Sequence, residues 1–271
     1  MSKASVLLVM GAGLLASQLA RAETPQDSHW VQLEYFRPNV NSSARLDASA
    51  TVRGTTLDME RDLGLAHSQG TPYFLLGTRL GQPWRLEFEY YQLRRSGARS
   101  LNRDVQWGDA TFPLATTIDA HFNTTIYRLT GGWSFIRTNQ AELGAALGLH
   151  VTDFDLGLAG QVAGAATAAS FQQVRRDQLV PLPTIGAYGS YQVAPQWTVQ
   201  GRVDYLSLNY QNYDGKLVNS LAAVDWRFSR NFSVGAGYRY VKYTLGLSKP
   251  DFDGEADYRF KGPIVYIAAG F

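Results

Sequence analysis

The chain contains no cysteine, which removes disulfide staples, thiolate metal sites and cysteine nucleophiles together. Charge is sparse: 18% of residues are Asp, Glu, Lys or Arg, and 13% are aromatic, a balance unlike that of a disordered chain. Long apolar runs are missing except near the N-terminus. With a mean hydropathy of −0.19, the sequence excludes a bundle of membrane helices, each of which needs about 20 apolar residues. No GxSxG, HExxH, P-loop or calcium-loop motif occurs. Neither a cofactor nor a metal is expected. The 271 residues are ample for one large core.

The N-terminus reads as an export signal over residues 1–22. Lys3 supplies a positive start, Val6 to Leu19 a short apolar run, and Ala20-Arg21-Ala22 a small-x-small cleavage pattern. The mature domain is then expected over 23–271. Loss of Lys3 and Arg21 takes Lys and Arg from 25 to 23, equal to the 23 Asp and Glu. The +2 charge of the whole chain therefore carries no message about nucleic acid.

Beyond the signal, apolar and polar residues alternate with a period of two. Trp84, Leu86, Phe88 and Tyr90 share one face against Arg85, Glu87 and Glu89. Trp197, Val199, Gly201, Val203 and Tyr205 oppose Thr198, Gln200, Arg202 and Asp204. A helix would mix these sets, and no amphipathic helix is needed. Short turns at 81–83, 137–140, 194–196 and 229–231 alternate with long stretches near 39–69, 108–113, 160–170, 211–215 and 249–254. That asymmetry predicts a closed antiparallel transmembrane β-barrel with short periplasmic turns and long outer loops. Five hairpins make ten strands, with twelve or eight as alternatives. Residues 39–69 could be a loop, two strand extensions or a further hairpin.

Aromatic residues are expected to form two girdles: Trp30, Trp84, Phe135, Tyr191, Trp197, Trp226, Phe232 and Phe271 near the periplasmic edge, Tyr205 and Tyr240 near the outer one. Eight residues separate Trp197 from Tyr205, a rise of roughly 20 Å at the tilt of barrel strands, close to the roughly 25 Å apolar band. The C-terminal run Pro263, Val265, Ile267, Ala269 and Phe271 resembles the strand read by the outer-membrane barrel assembly machinery, with alanine where tyrosine often stands.

Three segments carry a wider resemblance: Thr55 through Leu65 (TTLDMERDLGL), Trp107 through Pro113 (WGDATFP), and Ala141 through His150. On them the chain resembles a group of exported proteobacterial outer-membrane β-barrels, mostly of unassigned function. The resemblance implies an outer-membrane location and no catalytic residues. Physically, Gly64 and Gly108 suit positive φ and Pro113 an extended restart.

If the apolar face meets lipid, the other lines a lumen. It carries six acids (Glu34, Glu87, Glu89, Glu142, Asp204, Asp225) and six arginines (Arg79, Arg85, Arg128, Arg202, Arg227, Arg239). Cations at the lipid midplane would cost about 2–4 kcal/mol each, which favours their facing inward. Paired, they fill the lumen of a structural or interaction barrel in the envelope. Unpaired, they line a small porin-like channel, for which Gly144, Gly148, Gly186, Gly235 and Gly237 leave space. A third reading is a lipid- or peptide-hydrolysing barrel, with His150 as base, Asp153 and Asp155 nearby, and Ser190 or Ser207 as nucleophile. Arg94, Arg95, Arg99 and Arg103 are expected to contact lipopolysaccharide phosphates. The acids Asp58, Glu60, Asp62 and Asp251, Asp253, Glu255 read as solvated loop charge, and His121 beside Asp119 as solvated surface. Expected partners are outer-membrane lipids, lipopolysaccharide and the assembly machinery, not nucleic acid, with a monomer favoured.

Overall fold

A computed structural model describes residues 27–49, 52–161, 172–210, 213–249 and 252–271. The expected export signal, residues 1–22, lies outside the described residues. The alternating segments form β1 (His29–Phe36), β2 (Asn39–Leu46), β4 (Thr71–Arg79), β5 (Trp84–Ser100), β8 (Thr117–Arg137), β9 (Ala141–Gln161), β10 (Gln172–Ala194), β11 (Trp197–Tyr210), β12 (Tyr213–Arg227), β13 (Phe232–Lys249) and β14 (Phe252–Gly270). The shorter elements are β3 (Leu57–Asp58), α1 (Met59–Leu63), β6 (Val105–Trp107) and β7 (Ala110–Phe112).

Neighbours pair antiparallel around the ring, and β14 closes on β1 with Trp30 opposite Gly270. β1 and β2 hold one register on β14, Phe36 opposite Ile264 and Asn39 opposite Lys261. They are one strand broken at Pro38, which has no N–H for the ladder. Counted so, the barrel is closed and has ten strands. The stretch 39–69 is thus an extension of the first strand followed by an inserted loop.

That loop holds α1, five residues where no helix was needed by the alternation. Its single turn is too short to show a helical period. It is set by its ends: Asp58 accepts from the Arg61 amide at 2.8 Å, and Gly64 terminates it at φ 72°. Gly108 likewise turns the β6–β7 hairpin at φ 57°.

The faces of β8 show how the barrel is layered. Near the short turns its outward residues Tyr127, Leu129 and Trp133 are exposed and apolar, while Arg128, Thr130 and Ser134 are buried inside. Towards the long loops the outward residues are Asp119, His121 and Asn123, and the inward ones are Ile118, Ala120, Phe122 and Ile126. No register shift separates these halves on β5 or β9. The turn-side half is therefore apolar outside and charged inside. The loop-side half is polar outside and apolar inside.

The loop bearing α1 enters the loop-side lumen. Leu57, Met59, Leu63 and Leu65 pack there with Tyr91, Leu93 and Phe112. Asp62 pins its outer edge, accepting from Arg61 at 3.0 Å and from Arg103 at 3.2 Å. Burial pushes the Asp62 carboxyl up, but the hydrogen bonds from Arg61 and the Asp58 amide and the charges of Arg61 and Arg103 outweigh it, and hold it below its ordinary range. A depressed carboxyl adds stability above its unfolded value of about 3.9, and that stability is lost as pH falls through the lower folded value. Amide protection over 57–65 should therefore fall as pH is lowered below about 3.9, and the step should vanish in Asp62→Asn. Wild-type protection that stays level as the pH is lowered to the point of acid unfolding would contradict the pinning.

Candidate functional site in the lumen

Alternation brings the inward residues of seven strands into one layer across the turn-side lumen. Arg79 on β4 forks onto Glu142 on β9, donating at 2.9 and 2.7 Å. Arg202 on β11 donates to Glu87 on β5 at 2.5 Å, and to Asp204 at 3.0 Å. Arg128 on β8 donates to Glu89 at 2.9 Å and lies 2.5 Å from Asp204. Arg239 on β13 donates to Glu34 on β1 at 3.3 Å and lies 3.8 Å from Glu89. Arg85 bonds Glu87 and stands 3.7 Å from Glu142. Bidentate and shared geometry of this kind suits the planar guanidinium.

Neutral groups complete the layer. Tyr73 donates to Glu89, and Ser134 to Glu142. Asp225 accepts from Tyr266 at 2.5 Å and from Gln200 at 3.1 Å, so its hydrogen bonds come from neutral donors. Arg85 lies between the rings of Trp30 and Tyr188, at 4.8 and 4.4 Å, and Arg239 over Tyr73 at 4.3 Å. Such contacts gain strength when desolvated. Glycines supply room for these groups. A Cβ on Gly144 would overlap the Tyr188 ring, and one on Gly132 would stand 2.7 Å from Arg85 Cγ. The space left within the layer is about 70 Å³, room for a few waters.

Eleven of the twelve predicted charges thus sit in the network or hydrogen-bonded beside it. Arg227 lies two residues beyond Asp225, towards the end of β12. Of the girdle, Trp84, Phe135, Tyr191, Trp197, Tyr205, Trp226, Phe232 and Phe271 are exposed on the outer face. Tyr240 is half-buried there. Trp30 is a correction: it is buried in the lumen beneath two arginines, because it shares its strand face with Glu34.

The basic stretch also needs correction. Arg95 is buried and bonds Glu60 of α1 and, at 3.0 Å, the Ser42 hydroxyl, which removes it from any lipid contact. It stands on the inward face with Glu87 and Glu89. Arg99 donates to the Arg61 carbonyl, and Arg103 to the Thr56 carbonyl at 3.1 Å, while Arg94 is exposed. The first acid cluster is not solvated as a unit, since Asp58 caps α1 and Glu60 is buried on Arg95. In the second, Asp251 lies outside the described residues, and Glu255 stands 3.1 Å from Arg45. The Glu60–Arg95–Ser42 cluster was missed by sequence reasoning, and strand parity at Arg95 was its one available signal.

His150 is buried above the charged layer, its Nε2 sharing a 2.7 Å hydrogen bond with the Tyr243 hydroxyl. Asp153 and Asp155 occupy the opposite face of β9. Ser207 is exposed on the outer face. Ser190 lies eight residues along β10 from Leu182, the residue paired with His150, or roughly 26 Å. The structure brings none of these together with His150.

No family model matches the chain, and no curated protein matches it. Solved structures do. The outer membrane protease OmpT from Escherichia coli superposes with a TM-score of 0.59 at 10% identity, over 92% of this chain and 98% of that one. The transport unit of the autotransporter AIDA-I from Escherichia coli gives 0.42 at 11%, over 96% and 97%. The Pseudomonas putida toluene transporter TodX gives 0.35 at 9%, over 96% and 93%. At such identities the likeness concerns fold, and only the first superposition is close enough to use. The chain has the fold of an outer-membrane β-barrel, with a buried charged network in its lumen.

Removing one partner from such a network leaves buried charge uncompensated, which costs about 3–5 kcal/mol. Arg202→Met should lower unfolding free energy by about that much in urea titrations of the refolded barrel. A loss below about 1 kcal/mol, the scale of an exposed pair, would contradict burial of the pair.

Proposed function

We propose that the protein resides in the bacterial outer membrane as a closed, non-enzymatic barrel that serves envelope structure or interaction through its long-loop end. One observation carries this reading: Arg202–Glu87 and Arg239–Glu89 each join strands four apart in the ring of ten, and so cross the path a solute would take. Part of the loop-side lumen is occupied in turn by α1 and its apolar neighbours. The exposed belt of Leu147, Ile185, Val203 and Val265 supports a lipid-facing wall, since a contiguous apolar band of this kind is unfavourable in water.

Refolded protein in planar bilayers should give no large, stable conductance steps. Such steps from the wild-type chain would favour the porin reading over this one.

Lipid phosphates are the expected partners above the belt. Arg94 remains available from the basic stretch, but a denser cluster lies on adjoining strands. Lys242 is directly opposite Arg259, and Lys261 opposite Tyr240, on the outward faces of β13 and β14. Like charges opposed on a sheet repel, and Asp257, 3.7 Å from Lys242, offsets only part of the three positive charges. Neutralising Lys242, Arg259 and Lys261 together should weaken retention of lipopolysaccharide through purification, measured as phosphate per barrel. Unchanged phosphate would remove this contact from the proposal.

A further inference from the structure

Five arginines of the charged layer serve five of its acids. Glu87, Glu89, Glu142 and Asp204 each take a guanidinium at 2.5 to 3.0 Å, and Glu34 takes Arg239 at 3.3 Å. The sixth acid, Asp225, is served by neutral donors: Tyr266 and Gln200 both donate to its Oδ2. Its Oδ1 is buried, on a residue only 5% exposed, and has no hydrogen-bond partner. Arg227 follows two residues on, at the end of β12, and donates nothing to that oxygen.

The strands set Asp225 in a row. Glu34, Tyr266, Gly235, Asp225 and Thr198 stand opposite one another in turn on β1, β14, β13, β12 and β11. Gly235 makes room for Tyr266, since a Cβ there would lie 2.2 Å from its ring. Ser233, the next inward residue of β13, is diagonal to Asp225, and its hydroxyl is also buried without a partner. Thr198, Gln200 and Asp225 border the cavity of about 70 Å³ within the layer, which has room for a small ion and a few waters.

A buried carboxylate with an unmet oxygen is unfavourable unless a positive charge stands beside it. Arg239 on β13 is engaged elsewhere: it gives Nη2 to Glu34 and holds Nη1 3.8 Å from Glu89. Gln200 gives its amide nitrogen to Asp225 and to Tyr266. On the two adjoining strands the inward neighbours of Asp225 are hydroxyls, Thr198 directly opposite and Ser233 on the diagonal. Hard oxygen donors of this kind suit an alkali or alkaline-earth cation. Charge selects between them: one carboxylate balances one positive charge, whereas calcium gathers about six to eight oxygens. We propose that Asp225, with Ser233 and Thr198, binds one monovalent cation, sodium or potassium, which supplies the positive charge that the layer's five arginines do not.

The test unfolds the refolded barrel in urea at one ionic strength, in sodium, potassium or N-methylglucamine chloride. Sodium or potassium at about 0.5 M should raise the folding equilibrium constant at least about threefold over N-methylglucamine, and the gain should saturate. Asp225→Asn keeps the shape of the side chain, removes its charge, and should behave alike in all three salts. Ser233→Ala keeps the acid, and should raise the sodium concentration that gives half the gain by about threefold or more. Equal wild-type stability in the three salts would overturn the proposal. If that stability then rose as pH fell from about 7 to about 5, Asp225 would be holding a proton instead. A sodium gain of the same size in Asp225→Asn would place the ion elsewhere and overturn the proposal too, as would an unchanged half-point in Ser233→Ala.

Discussion

Charge buried in a closed barrel can be paired only with its own wall or the wall opposite. Closure satisfies the backbone ladder at every strand, and it also commits every second side chain to the lumen. Seven strands deliver carboxylates and guanidiniums to one level, and each of the main arginines spans to an acid on another strand. The turn-side lumen can hold this much charge because most of its donors and acceptors meet, with room left for a few waters. The belt outside depends on the same fact. Strands with Arg85, Glu87 and Glu89 inward must place Trp84, Phe88 and Tyr90 outward.

The inner surface changes character along its length while the strand register stays fixed. On β8 the change falls between Ile126 and Arg128, and on β5 between Glu89 and Tyr91. Below it the lumen is a lattice of ion pairs. Above it is an apolar core of the ordinary kind, closed by α1 and fastened by Glu60 on Arg95. The loop-side half is thus built like a soluble barrel standing on a membrane barrel, with the two halves sharing ten continuous strands.

Much of this was legible in the residue order. Alternation and turn spacing set the ten strands, and in the turn-side half the charges fall on one face of a strand because they lie at even spacing, as Arg85, Glu87 and Glu89 do on β5. The errors have one physical source. Trp30 was read by residue type as an interfacial aromatic, although it is four residues from Glu34 and so faces the lumen with it. Arg95 was read as part of a basic run, although it is eight residues from Glu87 and inward for the same reason. Which wall each arginine reaches was not legible, since partners such as Arg202 and Glu87 are 115 residues apart. The five residues of α1 were hidden because one turn carries no period.

Coupling across the lumen tests this account most directly. In a double-mutant cycle, Glu87→Gln and Arg202→Met are made singly and together, and unfolding free energies are measured in urea. Direct pairing predicts non-additivity of about 1–3 kcal/mol, the double variant losing less than the two singles combined. Strict additivity, within about 0.3–0.5 kcal/mol, would mean that the two walls do not meet and that the lumen is not closed by charge.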